Sequence, residues 1–278
     1  MNNFTPNGER AHPMAVAAPA LVYLLGRRTD VGMVRTINQD SLLTIEINYI
    51  NQNLTPHPLG IYVAADGMGG HAAGEVASGV IIHTIAQKSL LDFNIIDVKQ
   101  KGSIKWEAWL DEVVAAANKA VHESRILSGS NMGSTLVMAV MHGDQVSIAN
   151  VGDSRAYLIN VQGIHQLTTD HSLVERLVAA SQITRQEART HPQRNVIYRT
   201  IGQTPEVDVD IVSYQLEAND YLLLCSDGLS GKLEDEQIWN TTLAACSPQE
   251  ACDRLVDAAN AAGGEDNITA IVVQVVQS

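Results

Sequence analysis

The stretch Ile61-Tyr62-Val63-Ala64-Ala65-Asp66-Gly67-Met68-Gly69-Gly70-His71-Ala72-Ala73-Gly74-Glu75 constrains this chain more than any other. An apolar run of strand character ends on a carboxylate and turns at once glycine-rich, where the backbone can take conformations and close approaches that a side chain forbids. From Glu75 onward Val76, Val80, Ile81 and Ile85 recur at helical spacing. The stretch therefore predicts a strand that delivers Asp66, a loop, and a helix to about Leu90.

The same punctuation returns along the chain. Ser147 to Val151 leads into Gly152-Asp153, Tyr221 to Ser226 leads into Asp227-Gly228, and Gly263-Gly264-Glu265-Asp266-Asn267 precedes the apolar run Ile268 to Val276. One aspartate at a strand end is ordinary turn chemistry. Asp66, Asp153, Asp227 and Asp266 together invite one shared explanation, in which neighbouring strand ends bring them to one place with Asp40 nearby. Carboxylates that close disfavour joint ionisation, and a fold tolerates them with cations present. Oxygen ligands without His or Cys select hard ions, Mg²⁺ or Mn²⁺ above Zn²⁺. Two such ions share a water, lower its pKa and hold it in line with a phosphorus atom. In that reading Arg35 is the phosphate clamp and His71 the proton donor to a leaving alkoxide. Taken in isolation, each is also an ordinary surface side chain.

Composition excludes several other classes. A net charge of −13 over 278 residues, with no basic cluster longer than Arg27-Arg28, argues against nucleic acid. No apolar run reaches the roughly 18 to 20 residues of a membrane span. The cysteines at 225, 246 and 252 show no CxxC spacing and fit a reducing, cytoplasmic setting. There is no GxxxxGK[ST], HExxH or GxSxG, and Gly67-x-Gly69 does not complete a GxGxxG because position 72 is Ala.

In chain order, residues 1–19 read as a mobile tail and 20–278 as one α+β domain. Strands are expected at Leu21 to Arg28 and Ser41 to Ile47, with a loop from Asn48 to Leu59. A helix is expected over Trp106 to Ile126, with Trp109, Val113, Ala116, Ala120 and Ile126 near one stripe. The run to Met141, Val146 to Val151 and Arg155 to Ile159, joined by turns at 142–145 and 152–154, predict an antiparallel meander. Leu173 to His191 carries short helical patterns, either a substrate-facing excursion or a solvated helix pair. Strands over Val207 to Gln215 and Tyr221 to Ser226, helices over Glu234 to Leu243 and Pro248 to Ala261, and a strand over Ile268 to Val276 complete the chain.

Six ordered blocks carry a resemblance: Arg35-x-x-Asn38-Gln39-Asp40, Asp66-Gly67-Met68-Gly69-Gly70-His71, Gly133-Ser134-Thr135, Val151-Gly152-Asp153-Ser154-Arg155, Cys225-Ser226-Asp227-Gly228-Leu229 and Asp266-Asn267. From about Leu21 to Val276 the chain resembles the metal-dependent protein phosphatases of type 2C, in their bacterial form. The resemblance implies a four-layer α-β-β-α sandwich of two antiparallel sheets flanked by helices, with a flap at about 171–200. It implies hydrolysis of phosphoserine and phosphothreonine on proteins by a water activated between two divalent ions, Mn²⁺ or Mg²⁺, with a third ion at a weaker site. It further implies a cytoplasmic monomer whose partners are phosphoproteins, the targets of a serine/threonine kinase, rather than nucleic acid or membrane. Two alternatives stand beside it, a catalytically silent phosphoprotein-binding scaffold of the same fold and a phosphatase of a small phosphorylated metabolite.

Carried over by position, Asp66 resembles the carboxylate bridging both metals, and the Gly67 carbonyl binds one of them. Asp227 and Asp266 are similar to ligands of the other metal, Asp40 to a ligand acting directly or through water, and Asp153 to the anchor of the third. Arg35 matches the phosphate-binding arginine, and His71 lies where bacterial members have their histidine. Gln39 stands where many members carry an acidic residue, which removes one charge from the cleft. His191, Arg194 and Arg199 of the flap are within the segment that would touch substrate.

Overall fold

Side-chain alternation along the central strands decides how the layers stack. The computed structural model describes residues 21–50, 56–70, 73–94 and 104–277, so the expected tail at 1–19 and His71 lie outside the described residues. In chain order the elements are β1 (Leu21–Asp30), β2 (Asp40–Ile50), β3 (Pro56–Met68), α1 (Ala73–Asn94), α2 (Trp106–Ser128), β4 (Gly133–Ser134), β5 (Leu136–His142), β6 (Gln145–Val151), β7 (Arg155–Asn160), β8 (Gly163–Gln166), α3 (Leu173–Ala179) and α4 (Arg185–Thr190). They continue with β9 (Asp210–Gln215), β10 (Tyr221–Cys225), α5 (Asp227–Ser230), α6 (Asp235–Leu243), α7 (Pro248–Ala261) and β11 (Ile268–Gln277). The strands form two sheets, ordered β1-β11-β10-β7-β8 and β2-β3-β5-β6-β9, with β4 attached to the end of β3. Every ladder is antiparallel.

On β3, Ile61, Val63 and Ala65 face a core shared with Ile81 and Ile85 of α1 and Val113 and Val121 of α2. Tyr62 and Ala64, one residue out of phase, meet Val137, Leu222, Leu224, Ile271 and Val273 between the two sheets. On the far sheet, Leu223, Cys225, Ala270 and Val272 point the other way, onto Ile238 of α6 and Leu255 and Val256 of α7. Both sheets are thus covered on both faces, which explains why β10 and β11 read as unbroken apolar runs. The result is the helix-sheet-sheet-helix sandwich.

Three local expectations are corrected. Most of the expected loop Asn48 to Leu59 belongs to a long hairpin, since Asn48 pairs with Pro58. Ahead of Leu59 β3 has no β5 partner, and a strand with one neighbour tolerates proline. The expected meander breaks at Gly152: β5 and β6 form the hairpin, but β7 joins the other sheet beside β10. Gly152 has φ 114°, and a Cβ there would lie 2.7 Å from the Thr135 side chain, so the 152–154 turn is a crossing between sheets. On α2 the buried stripe is Leu110, Val113, Val114, Ala117, Asn118 and Val121, and Ile126 is exposed. Between β8 and β9 the chain leaves both sheets and carries α3 and α4.

Candidate metal centre

Asp40 opens β2 and is the direct ladder partner of Asp66, near the end of β3. The Asp66 backbone is held from both sides. Its N–H donates to Thr135 Oγ1 at 3.1 Å, and its carbonyl accepts from the Thr135 N–H and the Ser134 hydroxyl, each at 2.8 Å. The next residue has no room for a side chain: a Cβ on Gly67 would lie 2.0 Å from the Gly74 carbonyl oxygen, and one on Gly74 would lie 2.6 Å from that of Gly67. Two glycines therefore let the start of α1 rest on the strand end.

The other carboxylates arrive from the far sheet. Asp227 follows the end of β10 as the first residue of α5, and Asp266 precedes β11. Ser226 and Thr269 each donate a hydroxyl hydrogen bond of 2.7 Å to Asp40 Oδ2, so the two sheets are tied together at the carboxylate itself. Asn267 secures the loop that carries Arg35: its amide donates to the carbonyls of Val31 (2.9 Å) and Ile37 (3.0 Å), and its oxygen accepts from the Gln39 N–H at 2.8 Å. Asp153 sits on the crossing turn between β6 and β7.

These carboxylates feel one another. Burial holds Asp66 well above the ordinary carboxylate range, and the charges of Asp40, Asp227, Asp153 and Asp266 push in the same direction. Burial also lifts Asp40 to about 7, with Asp227 and Asp266 adding to it and the Ser226 and Thr269 hydrogen bonds opposing it. Asp153 is raised by burial and then by Asp227 and Asp170, and Asp227 by burial and then by Asp266. Five carboxylates from separate parts of the sequence therefore share one neighbourhood.

The donor set fits a hard divalent ion. One buried oxygen each of Asp40, Asp153 and Asp227 has no hydrogen-bond donor among the described residues, which is costly for a carboxylate unless a cation meets it. Among the described residues no three His, Cys, Asp or Glu side chains already close into a finished ligand cage.

A cleft of about 660 Å³ is lined by Arg35, Asp153, Asp227 and Asp266, and also by Arg189 and Arg194 of the 171–200 excursion. Arg35 donates to Asp266 Oδ2 at 2.9 Å and to the Glu265 carbonyl at 3.4 Å, which places its guanidinium on the carboxylate rim. Arg199 turns to Asp210 (2.5 Å) and His171 (3.0 Å), and the His191 ring accepts from the Gln193 N–H at 3.1 Å. Of the three flap residues singled out, Arg194 is the one on the cleft wall.

Supporting residues without an assigned role in the sequence emerge here. Arg155, beside Asp153, grips both oxygens of Asp170 at 2.7 to 3.0 Å and donates to the Tyr157 hydroxyl at 2.8 Å. Ser226 and Thr269 each hold Asp40 by one hydroxyl, and Thr135 holds the Asp66 backbone by its hydroxyl and its N–H. Thr135 and Ser226 lie in the blocks that carry the resemblance, whereas Thr269 is marked in the sequence only by standing near the start of a strand.

A family model described as protein phosphatase 2C matches residues 36–260. The chain belongs to the protein phosphatase 2C family. A serine/threonine phosphatase, stp, of Listeria monocytogenes serotype 4b is 35% identical to this type 2C chain over 249 residues, 89% of this chain and 94% of the relative. The serine/threonine phosphatase PstP of Mycobacterium tuberculosis superposes with a TM-score of 0.76 at 34% identity, covering 93% of this chain and 100% of the other. A PstP catalytic domain solved with two manganese ions superposes at 0.75, with 33% identity and coverage of 92% and 100%. The α-β-β-α arrangement of this phosphatase is the architecture of those structures.

Proposed function

We propose that this type 2C phosphatase hydrolyses phosphoserine and phosphothreonine on proteins with two Mn²⁺ or Mg²⁺ ions at the five-aspartate cluster. The observation that carries the reading is the convergence on Asp66 of Asp40, Asp153, Asp227 and Asp266, with three buried oxygens unmatched. Asp66 would hold both ions, and the Gly67 carbonyl one of them. Asp227 and Asp266 serve the other, with Asp40 acting directly or through water. Asp153, helped by Asp227, anchors a third, weaker site. When bound, the ions supply Lewis acidity at the phosphoryl oxygens and a water of lowered pKa.

The remaining work belongs to side chains. Arg35 offers a bidentate fork to phosphate oxygens from the rim of the cleft. Ser226 and Thr269 fix the orientation of Asp40, and Thr135 fixes the backbone of Asp66. His71 donates the proton to the departing serine or threonine oxygen. Residues 20–278 act as one catalytic domain of a cytoplasmic monomer that opposes a serine/threonine kinase. No helix among the described residues is long and apolar enough to cross a membrane.

The test is phosphate release from phosphothreonine peptides, with and without Mn²⁺ after chelation, by the unaltered protein and by Asp66→Ala and Asp227→Ala. Turnover is expected to need the metal and to be lost in both variants while far-UV circular dichroism stays unchanged. Metal-independent turnover, or activity retained in both variants, would overturn the reading. Hydrolysis of p-nitrophenyl phosphate alone would leave the metal chemistry and remove the protein substrate.

A further inference from the structure

One wall of the cleft is held in an unusual way. Its residues come from α3 and α4, and neither helix contains a buried residue. Leu173, Val174, Leu177 and Val178 of α3 are partly buried, but α4 carries no apolar side chain larger than Ala188, so polar contacts set its position.

The strongest of those contacts is made by Arg189, near the end of α4. Its Nη1 donates to the Ser230 carbonyl at 3.3 Å, and its Nη2 donates to those of Gly231 (3.4 Å) and Leu233 (3.1 Å). Its Nε stands 2.8 Å from the Glu234 carboxylate. Ser230 closes α5, the turn whose first residue is Asp227, so its carbonyl has no partner within the helix. One guanidinium thus joins the cleft wall to the segment that positions Asp227. The other side-chain link of α4, Arg185 to Glu175 at 3.4 Å, runs only to α3 and has its arginine largely in solvent.

We propose that Arg189 is a positioning residue for protein substrates, clamping α4 at a set distance from the aspartate cluster and so defining the width of the cleft. The proposal rests on the phosphatase reading above. A phosphorylated peptide has to lie along this wall, whereas a small aryl phosphate needs only the metal end of the cleft. The contacts of Arg189 run to Ser230, Gly231, Leu233 and Glu234, so it acts through the segment that follows Asp227.

The experiment compares the unaltered protein with Arg189→Ala and Arg189→Lys, all loaded with Mn²⁺. Hydrogen exchange read by mass spectrometry is expected to accelerate over 181–195 in Arg189→Ala and to stay unchanged in β10 and β11. KM for a phosphothreonine peptide is expected to rise about tenfold, the scale of losing hydrogen bonds to a charged group, while kcat/KM for p-nitrophenyl phosphate moves less than threefold. Arg189→Lys should restore only part of the protection, because one ammonium cannot span three carbonyls and a carboxylate. Glu234→Gln, which keeps the fold's backbone partners, should show the same split at smaller size. Unchanged exchange in 181–195, or equal losses on both substrates, would overturn the proposal. Failure of the unaltered protein to hydrolyse either substrate would overturn the underlying phosphatase reading, and the exchange pattern, read without turnover, separates the two failures.

Discussion

Asp40 and Asp66 are direct partners across the β2–β3 ladder, so two carboxylates from opposite ends of a hairpin stand side by side in one sheet. A ladder of this kind places partner side chains on the same face, where like charges destabilise each other. The second sheet answers with Ser226 and Thr269, whose hydroxyls both end on Asp40 Oδ2. The arrangement sacrifices stability in one layer for a binding site between layers.

Removing one of those hydroxyls tests how far Asp40 is prepositioned. Thr269→Val keeps the shape of a buried side chain and deletes the donor. Affinity for Mn²⁺, measured by isothermal titration calorimetry, is expected to fall roughly tenfold, as for other groups that orient a metal ligand. An unchanged affinity would show that the hydroxyl leaves the Asp40 orientation unaffected.

The raised carboxylates make a signed prediction about pH. An acid whose pKa is higher in the folded than in the unfolded protein destabilises the fold when ionised. The penalty is absent below about pH 4, grows as pH rises, and is complete above the folded-state pKa. For Asp40 that window closes at about 7, and Asp66 is displaced in the same direction. In chelator, Asp66→Asn is therefore expected to melt above the unaltered protein at pH 8, with the gain shrinking toward pH 5. Comparing the two proteins at each pH cancels His171, which burial keeps below its ordinary range in both. Calorimetric melting curves that shift equally at all pH values would contradict this.

Gly67→Ala should damage both site and fold. The added methyl would meet the Gly74 carbonyl oxygen at 2.0 Å, a backbone atom that cannot rotate away. Urea denaturation is expected to show a loss of about 1 to 3 kcal/mol, the range for overpacking a close-packed interior. Mn²⁺ affinity should fall with it, since the strand end and the start of α1 are forced apart. Gly79→Ala, at a position open to space, is the matched control.

Asp170→Asn breaks the grip of Arg155. The pair is bidentate, and the two side chains are 19% and 8% exposed. Leaving the guanidinium without its counter-ion is expected to cost about 3 to 5 kcal/mol by urea denaturation. A loss under 1 kcal/mol would mean that solvent reaches the pair.

The corrected elements show where local pattern stops being informative. Gly152-Asp153-Ser154 reads as a hairpin turn because apolar runs flank it at hairpin spacing. Which sheet the next strand joins depends on the partners waiting for it, and β10 offers β7 a full ladder. Likewise the prolines near 56–58 read as loop until β3 is seen to have only one neighbour there. The stripe on α2 shifted because burial is set by the sheet beneath it.

The amino-acid sequence by itself determined the aspartates, the glycines beside them, and the alternation that makes each strand two-faced. Those are local properties of residue type and spacing, and they suffice for the family and for most elements. Tertiary structure alone decided that Ser226 and Thr269 reach across to Asp40, that Asn267 ties down the Arg35 loop, and that Arg189 ties α4 to the carbonyls that follow Asp227. The physical reason is range: a hydroxyl or guanidinium gains its role from whichever group the packed layers bring within 3 Å, and nothing in its own neighbourhood along the chain records that distance.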